Sequence, residues 1–224
     1  MKVIMTCGGT GGHIYPAIAI ADKIKEHNPD AEILFIGTKK GMENRLVPQA
    51  GYEIKGIDAS GIDRKHLLRN FKTAINYIKG GNEASEIIRE FGPGTVIGTG
   101  GYVTGSVIKK AKALGIPCYI HEQNAFPGVA NKALESSVEK VFISFPEAAS
   151  YFKDKSKIVL SGNPIRAGFI NHPKTLHGKK CVLVCGGSLG AEMINRAAIE
   201  MIRRGEDFNI IFVSQLLYPT IAFL

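Results

Sequence analysis

The stretch Lys2-Val3-Ile4-Met5-Thr6-Cys7-Gly8-Gly9-Thr10-Gly11-Gly12-His13 decides the fold. Its apolar run predicts a strand over Lys2 to Cys7, and its glycines predict a turn. Beyond them Ile14, Ala17, Ile18, Ala21 and Ile24 recur at helical spacing. A helix over about His13 to His27 follows, with Pro16 tolerated in its opening turn. Glycines carry no Cβ, so a phosphate or sugar can approach backbone N–H groups at the positive end of that helix, and the turn reads as an anion site. A tight turn that needs glycine only for packing is the plainer alternative. The dinucleotide fingerprint is not met: Ile14 stands where the third glycine belongs, and the second strand runs into Gly37-Thr38 with no ribose-binding acid. No G-x-x-x-x-G-K-[ST] phosphate loop occurs either.

The same rhythm continues outward. Apolar runs predict strands at Glu32 to Ile36, Tyr52 to Ile57, Thr95 to Gly98, Pro117 to His121, Val138 to Ile143, Lys157 to Leu160, Lys180 to Cys185 and Asn209 to Val213. Helical patterns cover about Gly41 to Gln49, Lys65 to Phe91, Val103 to Leu114, Gly128 to Ser136 and Gly190 to Arg204. This alternation predicts an α/β fold with a parallel sheet. Cys185-Gly186-Gly187-Ser188-Leu189-Gly190 repeats the first glycine turn, again after a strand and before a helix. One doubly wound sheet normally uses that turn once, so the expectation is a complete N-terminal Rossmann-like domain, residues 1–163, plus the start of a second Rossmann-like domain, residues 164–224. Asn163-Pro164 and His172-Pro173 punctuate the boundary. After Ser188 only one helix and one strand precede the apolar tail Ser214 to Leu224, and two strands with one helix cannot cover both faces of a sheet. The second domain is therefore expected to be cut short, with a tail foreign to it.

Composition narrows the function classes. The 224 residues are 45% hydrophobic and 21% charged, which excludes disorder, and no apolar run reaches the ~18 residues of a spanning helix. Met1 leads directly into Val3 to Met5 without a signal-peptide core, so neither a secreted nor an integral membrane protein is expected. A net charge of +8 favours acidic partners: nucleic acid, anionic lipid or phosphorylated metabolites. Nucleic acid is set aside, since neither zinc-finger spacing nor an RNP-like aromatic motif occurs. Cys7, Cys118, Cys181 and Cys185 form no Cys-x-x-Cys pair. Cys7, Cys181 and Cys185 lie in or beside apolar strands and are expected to be buried structural thiols of a reducing cytosol.

Other motifs carry chemistry. His13 stands in the first helical turn, where the dipole favours a neutral ring able to accept a proton, although a capping or core role is equally open. Gly98-Thr99-Gly100-Gly101-Tyr102-Val103-Thr104-Gly105 is a second glycine turn at the same sheet edge, suited to another phosphate, with a turn that needs glycine only for packing as the alternative. His121-Glu122-Gln123-Asn124 ends an apolar strand with four polar side chains, a costly cluster in a core and so expected to line a cleft. Arg166 places a bidentate-capable cation at the domain junction, with an ordinary surface arginine as the alternative. From Arg64 to Lys79 five Lys or Arg residues and no acid border the apolar stripe Leu67, Leu68, Phe71, Ile75 and Ile78. That pattern permits docking on an anionic bilayer, and an ordinary core-facing helix is the alternative.

Five motifs in this order resemble the MurG family of bacterial glycosyltransferases, family 28: Gly8 to Pro16, Gly100 to Val103, His121 to Asn124, Gly162 to Arg166 and Gly186 to Ala191. The resemblance implies a GT-B architecture. It also implies transfer of N-acetylglucosamine from UDP-GlcNAc to undecaprenyl-diphosphate-linked N-acetylmuramoyl-pentapeptide (lipid I), making lipid II. By the same resemblance Thr10, Gly11, Gly12, Asn124, Arg166 and Ser188 contact the donor, His13 is the proposed base, and Gly100, Gly101 and Tyr102 meet the acceptor diphosphate. Arg64 to Lys79 corresponds to the region that associates peripherally with the cytoplasmic side of the cell membrane. No Asp-x-Asp motif is present, so neither metal nor cofactor is expected. With its later strands missing, this chain is expected to bind UDP-GlcNAc poorly and turn over little. A related glycolipid synthase and an inactive membrane-docking module are the alternatives.

Overall fold

The computed structural model describes residues 1–59, 70–166, 181–186, 191–205 and 209–213, the stretches 70–77 and 209–213 as backbone. Along β1 (Lys2–Cys7) the side chains alternate between two cores. Val3, Met5 and Cys7 cluster with Ile14, Ala17, Ile18 and Ala21 of α1 (Gly11–His27). Ile4 belongs to the opposite cluster, with Val96, Val103, Val107, Ile108 and Ile120. Cover on both faces is what near-continuous apolar strands require.

The chain continues through β2 (Glu32–Thr38), α2 (Glu43–Gln49), β3 (Glu53–Ile57), α3 (Asn70–Phe91), β4 (Thr95–Gly100), α4 (Tyr102–Ala113), β5 (Cys118–Glu122), α5 (Val129–Leu134), β6 (Lys140–Ile143) and β7 (Ile158–Leu160). These form one parallel sheet in the order β3-β2-β1-β4-β5-β6-β7. The order reverses between β1 and β4, and open α/β sheets bind ligands beyond the strand ends at such a switch. The α/β parallel architecture read from the sequence is thus present, with local differences. Helix α1 begins at Gly11, so Pro16 sits in the second turn and leaves the Gly12 carbonyl without its usual helical donor. Between β6 and β7 lie two short 3-10 turns, Pro146–Tyr151 and Lys155–Lys157, too brief to show a sequence period.

Met1–Ile170 and Asn171–Leu224 are separate compact units. In the second, β8 (Cys181–Cys185) pairs in parallel with β9 (Asn209–Val213), and α6 (Glu192–Arg203) connects them. Cys181 and Cys185 are exposed there, against the expectation of buried thiols, because a strand pair with one helix leaves a sheet face open. Cys7 and Cys118 are buried. Among the described residues no helix is long and apolar enough to cross a membrane.

Candidate active site

The two glycine turns interlock at the strand-order switch. Gly8 N–H donates to the Gly100 carbonyl at 3.3 Å, which ties the end of β1 to the end of β4. Gly100 has φ +117°, and a Cβ there would lie 2.7 Å from His13 Cδ2. A Cβ on Gly101 would run into the Gly8 carbonyl oxygen. These two glycines are therefore required by packing against the first turn, whatever else they contact. Thr99 Oγ1 donates to the His13 carbonyl at 2.7 Å, and Thr104 Oγ1 donates to the Gly100 carbonyl at 2.8 Å.

His13 is half-buried, with Nδ1 3.1 Å from the Gly8 carbonyl oxygen. A carbonyl only accepts, so the neutral ring carries its proton on Nδ1 and keeps the lone pair on Nε2. The N–H groups of Thr10, Gly11 and Gly12 have no partner among the described residues, whereas Gly9 N–H donates to Glu43 Oε2 at 3.3 Å. Thr10 caps α1 with extended backbone and makes no side-chain cap, so its hydroxyl is not consumed by the helix. The turn therefore presents three donors, beside an imidazole, at a helix N-terminus.

Three members of the polar run at the end of β5 do not line a cleft. His121, Glu122 and Gln123 are buried, and only Asn124 is exposed. The cost that made burial unexpected is offset by hydrogen bonds. Glu122 Oε1 accepts from Asn124 N and Nδ2 at 3.0 and 2.9 Å, and Oε2 accepts from Gly128 N and Asn131 Nδ2 at 3.0 and 2.9 Å. His121 Nδ1 accepts from Gln123 Nε2 at 3.1 Å while Nε2–H donates to the Gly162 carbonyl at 3.0 Å. Burial holds the His121 ring below the usual imidazole range. The network thus shapes the loop that carries Asn124 and anchors Gly162, four residues before Arg166. The Arg166 guanidinium in turn lies over the Tyr15 ring, 4.3 Å from its centroid.

Residues 3–143 match the glycosyltransferase family 28 N-terminal domain. The chain belongs to glycosyltransferase family 28. Among similar proteins is the UDP-N-acetylglucosamine–N-acetylmuramyl-(pentapeptide) pyrophosphoryl-undecaprenol N-acetylglucosamine transferase of Alkaliphilus oremlandii, 51% identical over 91% of this chain and 58% of the relative. The protein of the same name from Acetivibrio thermocellus is 49% identical with the same coverage. The crystal structure of Acinetobacter baumannii MurG superposes with a TM-score of 0.73 at 28% identity, covering 96% of this chain and 61% of that one. The chain spans 58% to 61% of the length of the curated relatives it matches.

Within this family 28 fold, Thr10, Gly11, Gly12, His13, Gly100, Gly101 and Tyr102 gather at the ends of β1 and β4, and Tyr15 brings Arg166 to the first turns of α1. Asn124 follows the end of the neighbouring strand β5. Ser188 and residues 64–69 of the basic stretch lie outside the described residues. At the end of that stretch Ile78 is exposed, and Lys79 pairs with Asp58 at 2.7 Å. Glu43 and Asn131 escaped the sequence reading, and Tyr15 entered it only inside the Gly8 to Pro16 motif, with no role. Glu43 is distant in sequence from the turn it contacts, and its only signal is an acid set among glycines, after Gly37 and Gly41.

Proposed function

We propose that this chain is the acceptor-side and membrane-facing part of an inverting transferase that moves N-acetylglucosamine from UDP-GlcNAc to lipid I, giving lipid II. One observation carries the reading: His13, whose Nδ1 lies 3.1 Å from the Gly8 carbonyl oxygen so that Nε2 is left facing away from it, stands beside three turn amides that have no partner among the described residues, at a helix N-terminus. The names of the relatives at 49–51% identity support the choice of donor and acceptor.

In this mechanism His13 Nε2 takes the proton of the attacking sugar hydroxyl. The oxygen approaches the anomeric carbon opposite the UDP, so configuration inverts through an oxocarbenium-like state. As the glycosidic bond breaks, negative charge grows on the diphosphate. The N–H groups of Thr10, Gly11 and Gly12 and the Arg166 guanidinium receive it, with Asn124 adding a further donor contact. Gly100, Gly101 and Tyr102 face the acceptor diphosphate. The basic stretch Arg64 to Lys79 holds the protein peripherally on the anionic cytoplasmic face of the cell membrane.

The test is transfer by the natural polypeptide from UDP-GlcNAc to a short-chain lipid I analogue, with product configuration read by NMR. Inverted disaccharide is expected, and His13→Ala should lower kcat about 100-fold or more with a small change in donor KM. Absence of product, or retained configuration, overturns the proposal. Vesicle sedimentation tests the membrane contact: binding should require anionic lipid and weaken as salt rises.

A further inference from the structure

We infer that Glu43 is a positioning residue for His13, acting through the Gly8–Gly9 peptide group. The inference rests on the reading of His13 as the base. The Gly8 carbonyl and the Gly9 N–H belong to one planar trans peptide and point in opposite directions. The carbonyl accepts from His13 Nδ1 at 3.1 Å, and the N–H donates to Glu43 Oε2 at 3.3 Å. Carboxylate, peptide and imidazole thus form one hydrogen-bonded line. Negative charge at the N–H end polarises the peptide, which makes its carbonyl oxygen a stronger acceptor for Nδ1–H. The ring is then held with its lone pair on Nε2. Carboxylate–histidine pairs achieve this orientation by direct contact; here a peptide is interposed.

The surroundings are built for this carboxylate. Glu43 is fully buried and has no cationic partner among the described residues, an arrangement that costs stability unless hydrogen bonds compensate. Oε1 accepts from Thr38 N at 2.9 Å and Thr38 Oγ1 at 2.6 Å, so every contact has the carboxylate as acceptor. Three glycines make room for it. A Cβ on Gly8 would lie 2.9 Å from Oε1, one on Gly37 would lie 2.6 Å from Cγ, and one on Gly41 would collide with the carboxylate. A residue that served only to fill space would need neither the charge nor the alignment with the Gly8–Gly9 peptide.

The experiment compares wild type with Glu43→Gln, which keeps the shape and removes the charge, and with Thr38→Val, which loosens the carboxylate. Nitrogen-15 NMR of the histidine-labelled protein, with the His13 signal assigned by its loss in His13→Gln, reads the ring tautomer without any substrate. The Nδ1–H tautomer is expected in wild type, a clear gain of Nε2–H in Glu43→Gln, and a smaller gain in Thr38→Val. Gly9 amide exchange should accelerate about tenfold in Glu43→Gln, and kcat should fall about 10- to 100-fold with donor KM within about threefold. An unchanged tautomer, or a folded Glu43→Gln with kcat within twofold of wild type, overturns the relay. If wild type forms no product, the transfer reading fails by itself, and tautomer and amide exchange still decide the role of Glu43.

Discussion

The Arg166 guanidinium stacks on the face of Tyr15, two residues beyond His13 in the same helix. Tyr15 also leans toward the glycine turn, since a Cβ on Gly11 would lie 3.2 Å from its Cε2. One ring therefore links the cation of the Gly162 to Arg166 segment to the amides of the turn. Cation–π contacts contribute about 0.5–2 kcal/mol. Tyr15→Leu should accordingly raise donor KM about 3- to 10-fold with less effect on kcat, whereas Tyr15→Phe should match wild type. Steady-state kinetics over a range of UDP-GlcNAc concentrations checks both.

Gly100 and Gly105 lie five residues apart and should respond oppositely to alanine. At Gly100, φ is +117° and the added methyl meets the His13 ring at 2.7 and 2.9 Å. Backbone strain alone costs about 1–3 kcal/mol, and the displaced ring should also lose most of its turnover. Gly105 sits inside α4 with nothing within 4 Å of its would-be Cβ, so alanine there should be neutral or stabilise by up to about 1 kcal/mol. Urea denaturation of the two variants gives the comparison.

Periodicity revealed the sheet because each strand's burial is written locally: Val3, Met5 and Cys7 against Ile4 is a pattern within six residues. The glycine turns were legible for the same reason. Glu43 was not, since its contact with Gly9 spans 34 residues and depends on how β2 lies beside β1. The run His121 to Gln123 misled because polarity at a strand end resembles a cleft, and the partners that permit burial, Asn131 and Gly162, are supplied by later segments. Arg166 could be named from its motif, but Tyr15, although inside the Gly8 to Pro16 motif, was not recognisable as its shelf until the fold brought the two together.

The four thiols should divide into two pairs. Burial raises the Cys7 thiol far above its ordinary range, with the nearby Glu43 charge adding to it, and pushes Cys118 up to about 11. Thiolate is the reactive form, so neither should react at neutral pH in the folded protein. Cys181 and Cys185 are exposed and should be labelled quickly. Timed alkylation with peptide mass mapping should find label on Cys181 and Cys185 first, and on Cys7 and Cys118 only after denaturant is added. Early labelling of Cys118 would contradict the packing of β5.

Acid should destabilise the protein first through His121. Its ring is buried with Nδ1 accepting from Gln123, a contact that protonation abolishes, and burial lowers its folded affinity for a proton. In the unfolded chain the ring titrates near ~6.5. Below that pH the unfolded state binds the additional proton, so stability falls as pH is lowered toward the depressed folded value. The slope contributed by one such group is at most about 1.4 kcal/mol per pH unit. Asp58 and Asp154, whose affinities are lowered by Lys79 and Ser156 respectively, add their losses only in the lower carboxylate range. His121→Gln should therefore be less stable than wild type at pH 8, because the Gly162 bond is disturbed, yet show a flatter stability profile between pH 7 and 5. Urea midpoints at half-unit pH steps test this, and parallel profiles for the two proteins would exclude His121 as the source.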